Sequence, residues 1–142
     1  MVTEIIKAKN SWRVIGASVR GAAHLSSGAP NQDAIHWLPE DGAGPPVILA
    51  VSDGHGSAKC IRSDVGSRLA VTTAARVLQD FLTGQDDQTN LSAIKRMAED
   101  RLPQTLVRAW KEEVKAHLEE NPFTAEEGEC LVVQEGDRKS VV

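Results

Sequence analysis

The stretch Val47-Ile-Leu-Ala-Val-Ser-Asp-Gly-His-Gly-Ser57 decides the fold of this 142-residue chain, because it joins an apolar run to a polar loop. Its first five residues are apolar without polar alternation, as expected of a strand covered on both faces. Small and ionisable residues then follow at once. We therefore predict a rigid buried strand over residues 47–51, which presents the Asp-Gly-His-Gly loop at its C-terminal end and gives a site firm support.

A first strand is predicted near the beginning of the chain. Residues 11–19 (Ser-Trp-Arg-Val-Ile-Gly-Ala-Ser-Val) suit a pleated surface, and Gly21 ends the run. Residues 25–31 are rich in turn formers and predict a loop.

A second strand is predicted over the apolar residues 34–38, so that Asp33 lies at its start. The turn-rich residues 39–46 let this strand pair antiparallel with residues 47–51. We therefore expect Asp33 and Asp53 to approach each other despite the twenty positions between them.

Two helices are predicted downstream. Apolar residues recur at helical spacing over residues 63–83, with Ser63 as the expected N-cap and Asp64 in the first turn. The same spacing returns over residues 91–120, where Pro103 should kink the helix or begin a new one.

The second helix carries an apolar stripe at Leu106, Trp110 and Val114, which we interpret as core-facing rather than as a docking surface. Residues 121–142 show no comparable pattern and are predicted to be an irregular tail. Three strands followed by two helices indicate an α+β fold in a single domain over residues 1–142.

The composition excludes several classes of protein. Apolar residues make up 41% and charged residues 25%, the balance of a globular protein. The net charge of -4 provides no basic field for nucleic acid, so we expect no such partner. No segment has the ~20 apolar residues of a membrane span or the apolar core of a signal peptide, so we expect no membrane association and a cytoplasmic location.

The two cysteines, Cys60 and Cys130, show no spacing typical of zinc binding or of a disulfide framework. We interpret both as ordinary thiols, and Cys60 as a small buried apolar side chain.

The loop after the apolar strand carries the residues that could bind a ligand or take part in a reaction. An ionised Asp53 beside a protein interior costs several kcal/mol unless a positive charge compensates it, and a divalent cation would do so. Gly54 allows the backbone to approach an ion closely enough for its carbonyl to bind. Oxygen ligands of this kind favour Mg²⁺ or Mn²⁺ over zinc. Asp33 could supply a second carboxylate.

His55 is expected to face the same site, where an imidazole could give a proton to a leaving group near neutral pH. A plainer interpretation stays open at this point, because Asp-Gly is also a common hairpin signal and His55 could be an ordinary surface histidine. A P-loop is excluded, since residues 54–60 lack the Gly-x-x-x-x-Gly-Lys-Ser/Thr spacing.

Four segments in order resemble the opening of a bacterial PPM-type (PP2C-like) metal-dependent Ser/Thr protein phosphatase domain. They are Gly21-Ala-Ala-His24, Pro30-Asn-Gln-Asp-Ala34, Ile48-Leu-Ala-Val-Ser-Asp-Gly-His-Gly-Ser57 and Ser63-Asp-Val-Gly-Ser-Arg-Leu-Ala-Val71. The resemblance implies part of a β-sandwich flanked by helices, two Mn²⁺ or Mg²⁺ ions in a complete domain, and a phosphoprotein substrate hydrolysed by metal-activated water.

The resemblance also implies individual roles. Asp53 would bridge both metals, Gly54 would bind one through its carbonyl, and Asp33 would hold a metal or its water. His55 would be the general acid. The basic residue that binds phosphate in the family has no clear equivalent here, and Arg20 and His24 are both candidates.

Gln32 departs from the family, which often has an acidic residue there. The family's later Gly-Thr strand and two later metal-binding aspartates are expected beyond Val142. The resemblance therefore implies that this chain is the N-terminal part of a phosphatase domain, inactive alone and able to self-associate through open sheet edges. The alternative is a non-catalytic binding or regulatory protein that keeps part of the scaffold.

Overall fold

The computed structural model describes residues 12–56, 60–84 and 90–128. Within these residues the strands are β1 (Trp12–Arg13), β2 (Ala34–Leu38), β3 (Ala43–Gly44) and β4 (Ile48–Ser52). The helices are α1 (Ala22–Ser27), α2 (Ser63–Thr83) and α3 (Leu91–Glu120). The chain is therefore α+β, with few short strands and two long helices.

The strands β2 and β4 form an antiparallel hairpin, as predicted. Ala34 lies opposite Ser52 at one end of the ladder and Leu38 opposite Ile48 at the other. In the described part of the chain, β1 and β3 form a second, separate two-stranded sheet. A sandwich of two stacked sheets is not observed among these residues.

Helix α2 covers one face of the β2–β4 hairpin. Ala34 and Ala50 are 6% and 9% exposed and cluster with Val71 of α2, which is 4% exposed. Ala74 of the same helix packs against this cluster. Small side chains on the strands let the helix approach the sheet closely, and this contact forms the core.

The other face of β4 is open, which corrects the prediction of a strand buried on both faces. Leu49 and Val51 are 51% and 70% exposed, whereas Ile48 and Ala50 on the opposite face are buried. Alternate side chains of a strand point to opposite faces, and α2 covers only one of them. Five apolar residues in a row therefore mark a strand whose outer face lacks a cover among the described residues.

The first predicted strand is wrong beyond Arg13. Val14 donates one more backbone hydrogen bond to the Gly42 carbonyl at 2.9 Å, and the chain then leaves the sheet. Because β3 has only two residues, the later part of residues 11–19 has no strand to pair with. Ile15 is 95% exposed as a result. Residue 11 lies outside the described residues.

Helix α1 occupies residues for which a loop was predicted. It runs from Ala22 to Ser27 and ends at Gly28, whose φ of 77° is the left-handed conformation that favours glycine. The turn-forming residues thus mark the end of a short helix rather than a loop alone.

The two long helices lie at their predicted positions. The N-cap of α2 is Arg62 rather than Ser63, whose hydroxyl has no hydrogen-bond partner among the described residues. The N-cap of α3 is Asn90, whose side chain accepts a hydrogen bond from the Ala93 N–H at 3.1 Å. Pro103 lies inside α3, which continues through it as one helix.

Helix α3 packs against α2 through its apolar stripe. The Trp110 indole donates a hydrogen bond to the Gly66 carbonyl at 3.1 Å, and Arg76 pairs with Glu113 at 2.6 Å. No α3 residue is fully buried, and Trp110 is 37% exposed. The stripe therefore faces the neighbouring helix as predicted, but it is only partly covered.

The segment after α3 was predicted to be irregular throughout. Residues 125–128 instead form a helical turn, and residues 129–142, which include Cys130, lie outside the described residues. None of the helices that the structure describes combines the length and apolar character needed to cross a bilayer.

Candidate metal site

The β2–β4 hairpin brings the two predicted carboxylates to one end of the sheet. Ala34 and Ser52 form the last pair of the ladder, and Asp33 and Asp53 are the next residues outward on each strand. Both aspartates line a single cavity of about 350 Å³. The antiparallel register therefore places these two residues side by side, as the sequence predicted.

Gly54 connects the two strand ends. Its backbone N–H donates a hydrogen bond to Asp33 Oδ1 at 3.3 Å. A Cβ on Gly54 would overlap the carbonyl oxygen of Gln32, so the two backbones approach more closely here than any side chain permits. The site thus requires glycine at this position.

Two polar side chains hold the backbone of Asp33. Ser18 Oγ donates to the Asp33 carbonyl at 2.9 Å, and Asn31 Oδ1 accepts from the Asp33 N–H at 3.3 Å. Asn31 Nδ2 also donates to Ser18 Oγ at 2.7 Å, which closes a ring of three hydrogen bonds. The sequence analysis did not identify Ser18 or Asn31. An Asn two residues before an Asp does favour an Asx turn, but nothing local indicates the contact with Ser18.

Asp53 and His55 are both exposed, and within the described residues neither side chain makes a hydrogen bond or an ion pair. The expectation that burial makes Asp53 costly is therefore wrong for this chain, because water reaches the carboxylate. The reason to expect a cation is instead the proximity of two carboxylates.

The residues present match part of a divalent-cation site. Asp33, Asp53 and the Gly54 carbonyl offer the oxygen atoms that Mg²⁺ and Mn²⁺ prefer, and the two aspartates line one cavity. No group of three or more His, Cys, Asp or Glu side chains suited to a metal occurs in residues 12–56, 60–84 and 90–128. The described residues therefore supply only some of the ligands that a divalent-cation site needs.

The two phosphate-binding candidates contact each other. Arg20 Nη2 donates to the His24 carbonyl at 3.0 Å, while Arg20 Nε is buried and has no hydrogen-bond partner in the described part of the chain. The His24 ring donates from Nδ1 to the Pro30 carbonyl at 3.1 Å. Arg20 therefore binds the backbone of α1, and His24 holds α1 against the loop that leads to Asp33.

Gln32 occupies the position at which the sequence departs from the family. Its side-chain oxygen is buried and finds no hydrogen-bond partner among residues 12–56, 60–84 and 90–128, and a Cβ on Gly56 would lie 3.3 Å from it. The side chain is therefore directed at the loop that carries Asp53 and His55. Cys60, further along this connection, is a free and half-buried thiol.

Arg62 ties the segment after α3 to the start of α2, and the sequence analysis did not identify it. Its guanidinium binds both carboxylate oxygens of Glu127, at 2.8 and 2.6 Å, and the carbonyls of Asn121 and Pro122 at 2.5 and 3.1 Å. It also lies over the Phe123 ring, 4.6 Å from the centroid. These partners are 59 to 65 residues away in sequence, so no local pattern reveals them.

The pair with Arg62 changes the acidity of Glu127. The hydrogen bonds from the guanidinium, and then that from the Thr124 backbone N–H, lower the pKa of Glu127 to about 2. The same pairing raises the pKa of Arg62. The attachment of residues 121–128 is therefore ionic at neutral pH.

Comparison with known families shows which family the chain matches. A family model described as Protein phosphatase 2C matches residues 20–140, which include every candidate site residue and most of the chain. Searches of curated proteins and of solved structures found no significant match.

Proposed function

Because the chain belongs to the protein phosphatase 2C family, we propose that it serves in the hydrolysis of phosphoserine and phosphothreonine in proteins, with a divalent cation bound by Asp33, Asp53 and Gly54. The observation that carries this proposal is the β2–β4 register, which sets the two aspartates side by side with the Gly54 N–H on Asp33. Two carboxylates without a cation between them would repel each other.

Each residue has a part in the proposed chemistry. Asp33, Asp53 and the Gly54 carbonyl bind Mn²⁺ or Mg²⁺, which when bound lowers the pKa of a water ligand and neutralises phosphoryl charge. His55 gives a proton to the leaving serine or threonine oxygen. His55 is exposed and free of hydrogen bonds within the described residues, so its ring can turn towards a bound substrate.

A role for Arg20 or His24 in phosphate binding stays part of the proposal. Arg20 donates from one terminal nitrogen to the His24 carbonyl, and its buried Nε has no hydrogen-bond partner within the residues that the structure describes. A phosphate oxygen could satisfy such a donor. The His24 ring uses Nδ1 on Pro30, which leaves Nε2 for a ligand.

This chain by itself should hydrolyse phosphate esters slowly. The described residues supply two carboxylates at the site and no group of three metal-binding side chains, which is too few for a tightly held pair of dications. The same observation favours the second candidate function, a non-catalytic binding or regulatory protein on a phosphatase scaffold.

Mn²⁺ titration by calorimetry tests the proposal, with Asp53→Asn as the variant and Asp41→Asn as the control. Asp41 is exposed and accepts a hydrogen bond from the Ala43 N–H, so its substitution alters a carboxylate in the turn between β2 and β4, at the opposite end of the hairpin from Asp33 and Asp53. We expect Asp53→Asn to weaken binding at least about tenfold and Asp41→Asn to leave it unchanged. Equal affinities for all three proteins would reject the metal site.

A phosphopeptide assay in excess Mn²⁺ separates the two candidate functions. Slow turnover by the unmodified chain that Asp53→Asn abolishes supports a phosphatase. Mn²⁺ binding without any turnover supports the binding or regulatory protein.

A further inference from the structure

The backbone of Asp33 is held by side chains rather than by the sheet. The β2–β4 ladder begins at the pair Ala34 and Ser52, so Asp33 lies outside it. Its N–H and C=O are bound by Asn31 and Ser18 instead, at 3.3 and 2.9 Å. These two bonds fix the backbone from which the Asp33 side chain projects. The hydrogen bond from the Gly54 N–H to Oδ1 then sets the direction of the carboxylate.

We propose that Ser18 and Asn31 are positioning residues, which hold the Asp33 carboxylate against the Gly54 N–H in the orientation needed to bind a divalent cation. The inference rests on the proposed function, in which Asp33 is a metal ligand. Neither Ser18 nor Asn31 touches the cation in this arrangement. Their effect passes through the backbone of Asp33.

Within the described residues, the contacts of Ser18 all serve the segment that carries Asp33. It lies between β1 and α1, outside any strand or helix, and it is exposed. Both of its side-chain hydrogen bonds reach the segment 13 to 15 residues away that carries Asp33. Ser18 also lines the cavity of about 350 Å³ that contains Asp33 and Asp53. Removing a group that orients a metal ligand in this way typically weakens metal binding about 10- to 100-fold.

The positioning is tested first without metal, through amide hydrogen exchange at Gly54, whose N–H reports where the Asp33 carboxylate lies. Ser18→Ala removes two of the three hydrogen bonds in the ring, whereas Ser18→Thr keeps the hydroxyl. Ser27→Ala is the matched control, because Ser27 also makes two local hydrogen bonds, to His24 and Ala29, and neither involves Asp33.

We expect Gly54 exchange to be about tenfold faster or more in Ser18→Ala, and near the wild-type rate in Ser18→Thr and Ser27→Ala. Thermal unfolding of each variant shows whether the fold is kept. If the folded Ser18→Ala protein exchanges the Gly54 amide hydrogen at the wild-type rate, the inference is overturned. This holds whether or not the variant binds Mn²⁺ as the wild type does.

Mn²⁺ titration of the same variants, with Asp33→Asn added, then tests the consequence. We expect Ser18→Ala to bind Mn²⁺ about tenfold more weakly and Ser18→Thr to recover most of the affinity. If Asp33→Asn weakens binding while Ser18→Ala does not, the inference fails and the metal site stands. If the wild-type chain binds no Mn²⁺, the proposed function fails, while the Gly54 exchange still decides whether the ring positions Asp33.

Discussion

The backbone N–H of Gly54 donates a hydrogen bond to Asp33 Oδ1 at 3.3 Å, across 21 residues of sequence. This contact joins the two ends of the β2–β4 hairpin at the candidate metal site. It occupies one oxygen of Asp33, and the described residues place no hydrogen bond on the other. A cation between Asp33 and Asp53 would therefore meet one free oxygen of a carboxylate that is already oriented.

Replacing Gly54 with alanine should destabilise the chain. The added Cβ would overlap the Gln32 carbonyl oxygen, so the two strand ends must separate, at a cost of about 1–3 kcal/mol. Urea unfolding measures the change. Gly66→Ala in α2 is the control, because a Cβ there meets no atom within 4 Å. Removing a glycine from a helix should stabilise the protein by up to about 1 kcal/mol. Changes of the same sign in both variants would contradict this account.

His55→Ala should leave Mn²⁺ affinity within about twofold of the wild-type value, because oxygen atoms from other residues bind the cation. The side chain is exposed and makes no hydrogen bond with the described residues, so its loss should not disturb the loop. Calorimetric titration of His55→Ala and Asp33→Asn with Mn²⁺ measures the affinity of both variants. A loss as large as that caused by Asp33→Asn would make His55 a metal ligand rather than a proton donor.

Acid should release residues 121–128 from the start of α2. The pKa of Glu127 falls from 4.5 to about 2 on folding, chiefly because of the hydrogen bonds from Arg62. Since the folded value is the lower one, ionised Glu127 stabilises the attachment fully above about pH 4.5, and this contribution is lost as the pH falls towards 2.

NMR titration of the Glu127 carboxyl and the Phe123 ring measures this release. The ring lies over Arg62, so its signals should shift as Glu127 takes up a proton. Glu127→Gln should give acid-like Phe123 signals already at pH 6. Glu126→Gln, whose side chain makes no hydrogen bond with the described residues, should behave as wild type. A Glu127 midpoint near 4.5 would show that the pair with Arg62 does not form.

The open face of β4 should promote self-association. Leu49 and Val51 are exposed and line an apolar groove of about 420 Å³ together with Trp110. Leu49→Lys should lower the association seen by light scattering at rising concentration and leave the fold intact.

Ala50→Lys is the opposite test, because Ala50 is 9% exposed and faces α2. A charge there should unfold the hairpin rather than improve solubility. If Leu49→Lys and Ala50→Lys had the same effect on folding and on self-association, the assignment of the two faces of β4 would be wrong.

Much of the fold could be predicted because its signals are local. The helical spacing of apolar residues gave α2 and α3 close to their observed ends, since this spacing places the apolar residues of each helix on one side. The turn-rich residues between β2 and β4 correctly indicated an antiparallel hairpin, and with it the meeting of Asp33 and Asp53. The strand predicted over residues 11–19 failed because strand formation needs a partner, and β3 offers only two residues.

The sequence by itself therefore determined the two helices, the hairpin and the loop that carries Asp53, because neighbouring residues specify periodicity and turns. Only the tertiary structure decided which face of β4 is covered, since five consecutive apolar residues have no alternation to read. It also decided that Ser18 holds Asp33 and that Arg62 holds Glu127. These contacts join residues 15 and 65 positions apart, and such partners become neighbours only when the chain packs.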